Sequence, residues 1–139
     1  MLGPTSIIIA PKTTDERVVV AVLTLSTSSP AMMITTMVDL AVDLAALEHN
    51  YGQLRRLCAP QVKMLAVVKA DAYGHGAVKV AIKALESGAD WLGLARLHEA
   101  VELRKAGIQS PMLVFGYIHP SQVAMANDLD IVVTVYDFE

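Results

Sequence analysis

The sequence predicts an α/β fold: about four parallel strands with crossover helices, part of a (β/α)8-type barrel. Three observations support this. Short apolar, β-branched runs alternate with segments of helical periodicity from residue 39 onward. The runs recur every ~20–25 residues, the length of one strand–helix unit of such a barrel. The alternation calls for right-handed crossovers, which place strands side by side and parallel.

The first 37 residues stand apart. They are rich in Ile, Val, Thr and Ser, with Pro4, Pro11 and Pro30, and carry no charge between Arg17 and Asp39. Val18–Leu25 is apolar and Ser26–Pro30 interrupts it. Asp15 and Glu16 argue against a signal peptide here, and Pro30 with the Ser/Thr cluster argues against a spanning helix. Residues 1–37 therefore read as an atypical extension, disordered or loosely stranded, and residues 38–139 as the domain.

Asp39–Cys58 opens the domain. Leu44, Leu47, Tyr51, Leu54 and Cys58 recur at helical spacing, Asp43 suits the N-cap, and Pro60 stops the helix. Val62–Val68 is a strand whose unbroken apolar run suits burial on both faces. Lys69 follows at its carboxyl lip. Gly74 and Gly76 permit a tight turn before a helix over Ala77–Glu86, with Val78, Ala81, Ile82 and Leu85 on its inner face and Gly88 just past its end.

Ala89–Ala95 is the second strand, apolar from Trp91. A helix over Leu97–Ala106 follows, with Leu97, Ala100, Val101 and Arg104 inward and Gly107 as terminator. Glu99 and Glu102 early and Arg104 and Lys105 late suit the helix dipole. Pro111–Phe115 is the third strand, Pro120–Asn127 a short helix, and Asp130–Tyr136 the fourth strand.

Composition narrows the function. A formal charge of −3 and a pI near 5.7 show no basic footprint for nucleic acid. One cysteine, Cys58, permits no intrachain disulfide and suits a reducing compartment, and its place near a helix end reads as packing. His49, His75, His98 and His119 have no metal-ligand spacing. Lys69 is the chemical candidate: α/β folds place their active sites at the carboxyl ends of parallel strands, and an amine there can condense with a carbonyl compound.

Ala66–Gly76 reads AVVKADAYGHG. This closely resembles the pyridoxal-phosphate attachment motif of the alanine racemases, Ala-Val-Val-Lys-Ala-Asp/Asn-Ala-Tyr-Gly-His-Gly, at every position. Asp43, Leu44, Ala46, Leu47 and Asn50 resemble that family's opening helix. Ala89–Ala95, Glu99–Gly107 and Thr134–Tyr136 continue the match. The resemblance implies a TIM-type barrel, of which this chain holds the N-terminal half. It implies that Lys69 carries pyridoxal 5'-phosphate as an internal aldimine and is the base for the D-enantiomer, and that the Tyr73 hydroxyl helps to hold the phosphate. It further implies alanine as substrate, D-alanine for peptidoglycan as product, a cytoplasmic homodimer, and no membrane or nucleic-acid partner.

In that family the second acid/base group is a tyrosine from a C-terminal domain of the partner subunit. Tyr117 and Tyr136 match no such position and read as strand-end residues. The chain is expected to be incomplete as a catalyst. A non-catalytic pyridoxal-phosphate-binding protein and an inactive truncated reading frame are the alternatives. Asp71 reads as a brace for the turn after Lys69, His75 as a loop hydrogen-bonder, and Phe115 as a core or cofactor-lining residue.

Overall fold

The computed structural model describes residues 6–11, 17–22 and 42–137. Strands β1 (Ser6–Pro11) and β2 (Arg17–Val22) come first. Helix α1 (Leu44–Leu57) leads into β3 (Lys63–Val67), α2 (Ala77–Glu86), β4 (Trp91–Leu94), α3 (Leu97–Lys105) and β5 (Met112–Val114). A 3-10 turn at Pro120–Gln122, α4 (Val123–Asp128) and β6 (Ile131–Val133) complete the described chain. Among the described residues the strands form one sheet in the order β1-β2-β3-β4-β5-β6. The four expected strands, β3 to β6, pair in parallel, as a partial barrel requires.

The sheet extends further than expected. The apolar run after Arg17 forms β2, which pairs antiparallel with β1 and parallel with β3. Ser26–Pro30 and the boundary at residue 37 lie outside the described residues.

Alternation along the strands builds two unequal cores. Met64, Ala66, Leu92, Leu94, Met112 and Val114 are fully buried on the helix-covered face. Leu65 and Val67 face the other way, with Trp91, Leu113, Phe115 and Tyr73 against them. The second face is the inner side of the partial barrel.

Helix starts and stops follow the sequence signals. The Asp43 carboxylate accepts from Ala45 N at 2.9 Å and Ala46 N at 3.1 Å, satisfying two amides that the first turn leaves unpaired. Gly88 and Gly107 stand at φ +98° and +89°, past α2 and α3.

The helix faces are rotated from expectation. On α2 the buried residues are Val80, Ala81 and Ala84, while Val78 and Leu85 pack only partly and Ile82 is exposed. Small side chains permit the closest approach, so the side with Ala81 and Ala84 faces inward and the flank of Val78, Ile82 and Leu85 is turned partly away. On α3 Leu97, Ala100 and Leu103 are buried, and Arg104 is only half-buried.

Arg104 has a different task. Its Nε donates to Leu129 O at 2.9 Å, Nη1 to Ile108 O at 2.7 Å and Ser110 O at 2.8 Å, and Nη2 to Asp130 O at 3.0 Å. One planar cation thus ties α3 to the loops entering β5 and β6. The same end of the sheet carries Asp90, which accepts from Met64 N at 2.8 Å and lies 3.5 Å from Lys63 and 4.0 Å from Arg55. These ties brace the amino ends of the strands and leave their carboxyl ends for chemistry.

Candidate active site

β3 delivers Lys69 to the carboxyl end of the sheet. Val68 N still donates to Gly93 O at 2.9 Å, so pairing continues to the residue before the lysine. Val68 is buried in the helix-side core. Lys69 follows directly on Val68, where the extended backbone ends (φ −121°, ψ 23°), and it is half-exposed. The residue therefore lies just past the carboxyl end of a parallel strand.

The segment after it differs from expectation. The glycines predict the tight turn at Gly74–Gly76, but the chain turns at once, in left-handed helical geometry. Ala70, Asp71, Ala72 and Tyr73 have φ of 52°, 53°, 52° and 58°, and Gly74 follows at +83°. Left-handed geometry costs an L-residue roughly 1–2 kcal/mol. Four such residues in a row require external support.

That support is visible. Ala72 N donates to Val68 O at 2.9 Å and Gly76 N to Asp71 O at 3.0 Å. The Ala72 methyl is buried in the core. The Asp71 carboxylate accepts from Ala77 N at 2.6 Å, so Asp71 braces the turn as expected and caps α2, whose N-cap Gly76 has no side chain to do so. His75 Nδ1 lies 2.8 Å from Ala72 O; a carbonyl only accepts, so this nitrogen carries the proton. His75 is the loop hydrogen-bonder that the sequence suggests.

Glu99 completes the frame. Its Oε1 accepts from Ala70 N at 2.7 Å, and its Oε2 from Ala95 N at 2.8 Å and Arg96 N at 3.0 Å. The sequence reading assigns Glu99 only a dipole role. Its place three residues after Arg96 is the capping-box spacing, which signals the Arg96 bond. No local pattern signals the bond to Ala70.

Tyr73 belongs to the same turn and rests on the inner-face cluster with Phe115. Burial pushes its phenol up, so it is protonated at neutral pH. Phe115 also packs there, and Gly93 makes the packing possible: a Cβ on Gly93 would lie 2.5 Å from Leu65 Cδ2 and 2.6 Å from Phe115 Cζ. Tyr136 is exposed, with its hydroxyl donating to Phe115 O, and Tyr117 is exposed. A cleft of about 500 Å³ is lined by Asp71, His75 and the first turn of α2, but not by Lys69. No group of three His, Cys, Asp or Glu among the described residues is placed to hold a metal ion. No described helix is long and apolar enough to cross a membrane.

An α/β sheet whose strands β3 to β6 run parallel, with helices between them, defines the class: a partial barrel-type domain. Residues 42–139 match the model of the family described as "Alanine racemase, N-terminal domain", and the chain belongs to that family. It is similar to the alanine racemase of Desulforamulus reducens, 47% identical over 98 residues that cover 70% of this chain and 26% of that protein. It is 56% identical to the alanine racemase of Synechocystis over 78 residues, 56% of this chain and 21% of that one. Among solved structures, the alanine racemase of Bacillus anthracis, with bound L-Ala-P, superposes with a TM-score of 0.67 at 43% identity, over 68% of this chain and 25% of that chain. The alanine racemase of E. faecalis superposes at 0.66 with 37% identity, over 68% and 25%. The chain thus spans about a quarter of the length of these relatives.

Proposed function

We propose that this chain supplies the cofactor-lysine half of an alanine racemase active site. The observation that carries the reading is the placement of Lys69: the parallel strand ends, the lysine follows directly at its carboxyl end, and the braced turn of AVVKADAYGHG comes next. The residues present fit pyridoxal 5'-phosphate. Lys69 offers an amine for its aldehyde, Tyr73 a neutral hydroxyl for its phosphate, and Leu65, Val67, Leu113 and Phe115 an apolar floor. When bound, the cofactor supplies an electron sink for the charge left as the α-hydrogen of alanine departs.

The chain's own residues bind and orient. Lys69 holds the cofactor through its amine and, once freed by the substrate's amine, takes or returns the proton on one face of the α-carbon. Tyr73, on the left-handed turn, would donate a hydrogen bond from its hydroxyl to the phosphate. Racemisation also needs an acid/base group on the opposite face, and neither Tyr117 nor Tyr136 serves. We assign that group to a partner subunit's C-terminal domain, in a cytoplasmic homodimer that provides D-alanine for peptidoglycan. Residues 1–37 are proposed to be an extension to the racemase domain.

The test is direct. The purified chain is mixed with pyridoxal phosphate, its absorbance is followed before and after borohydride, and the modified residue is located by mass spectrometry, with Lys69→Ala as control. A reduced adduct confined to Lys69 is expected, without racemisation of L-alanine by the chain alone. Absence of a Lys69-dependent adduct overturns the reading, and turnover by the chain alone overturns the assignment of the second group.

A further inference from the structure

We propose that Glu99 is a positioning residue for the lysine: its carboxylate holds the left-handed turn in place and so fixes where the Lys69 amine stands. The turn and the loop after β4 share no covalent neighbour, yet one side chain joins them. Oε1 takes the Ala70 amide, immediately after Lys69, at 2.7 Å. Oε2 takes the Ala95 and Arg96 amides at 2.8 and 3.0 Å. All three partners are N–H donors, so the site demands acceptors on both arms. A carboxylate provides them; a carboxamide places an NH2 group against at least one donor.

The placement explains how the strain is held. Ala70 is exposed and begins the run of positive φ, so the core does not secure it. Asp71, Ala72 and His75 stabilise the later part of the turn through their own bonds. Glu99 reaches the first residue of the turn from another strand–helix unit. It is set in the first turn of α3, where the helix's positive end favours a charged oxygen. Glu99 needs no contact with cofactor or substrate; it acts through the backbone of Ala70.

The effect on the amine rests on the function proposed above, so the test has two separate readings. The first is amide hydrogen exchange by NMR on the whole chain. In the unmodified protein the Ala70 amide is expected to exchange at least tenfold more slowly than in an unfolded peptide, although the residue is exposed. In Glu99→Gln that protection is expected to fall at least tenfold, with Leu92 and Leu94 unchanged. An unprotected Ala70 amide in the unmodified chain, or equal protection in the variant, overturns the proposal. The unmodified-chain measurement decides even if the variant does not fold.

The second reading is the rate of pyridoxal-phosphate adduct formation at Lys69. It is expected to drop about tenfold in Glu99→Gln and to stay unchanged in Glu102→Gln, an exposed acid on the same helix. An unchanged rate in Glu99→Gln overturns the claim that the turn sets the amine. If the unmodified chain forms no adduct while Ala70 protection depends on Glu99, the function of Lys69 is refuted and the brace is upheld.

Discussion

Phe115 closes over Gly93 so tightly that a methyl group at Gly93 would lie 2.6 Å from the ring's Cζ and 2.8 Å from its Cε2. The contact sits in the inner-face cluster beneath the Lys69 turn. Gly93 is thus a spacing residue: its missing side chain lets neighbouring strands bring Leu65 and Phe115 together. Gly93→Ala is expected to displace the ring and to cost about 1–3 kcal/mol, the range for overpacking. Urea unfolding measures it, and Gly93→Ala/Phe115→Leu is expected to recover part of the loss. An unchanged midpoint for the single variant contradicts the packing described.

Arg104 provides the second prediction. Its guanidinium meets four carbonyl oxygens from two loops, an arrangement that a lysine's single nitrogen cannot reproduce. Arg104→Lys keeps the charge, yet it is expected to cost about 2 kcal/mol, because hydrogen bonds from a charged donor contribute roughly 1.5–3 kcal/mol each and replacement by water offsets part of the loss. The unfolding midpoint should fall and amide exchange near Leu129 and Ser110 should rise. A variant as stable as the parent would show that the four contacts contribute little.

The third concerns alkaline pH. Tyr51 lies on the buried face of α1, and burial holds its phenol neutral well above the ordinary value near 10. The unfolded chain therefore releases this proton first. Between the unfolded and folded values the native state binds more protons, so stability declines as pH rises past about 10. Tyr51→Phe is expected to make that decline shallower while leaving stability at neutral pH within about 1.5 kcal/mol. Chemical denaturation across pH 8 to 11 checks the slope; identical slopes would remove Tyr51 as its source.

Much of this architecture is legible in the sequence. Asp43, Pro60, Gly88 and Gly107 are local signals whose physics acts within one turn of chain, and each marks a helix end at the expected place. The four parallel strands and the lip position of Lys69 follow from apolar runs of strand length. The helix faces are rotated because periodicity weighs residues by greasiness, whereas close packing favours Ala81 and Ala84. The turn at Ala70–Tyr73 is illegible for a stronger reason. Its residues individually disfavour positive φ, and what overrides them comes from elsewhere: the core around Ala72, the start of α2 and Glu99 on the next unit. Arg104 likewise gains its partners from residues far along the chain. Side-chain bonds that join separate units leave no periodic trace.

A strand offers two edges, and those of β3 are both occupied, by β4 on one side and β2 on the other, with Val18 opposite Lys63 and Ala21 opposite Ala66. A complete ring of eight strands needs the latter edge for its final member, since first and last must meet. Hairpin docking and ring closure thus compete for the same row of amides and carbonyls. The β1–β2 pair therefore takes up, on β3, the row of backbone partners that a ring's last strand would use.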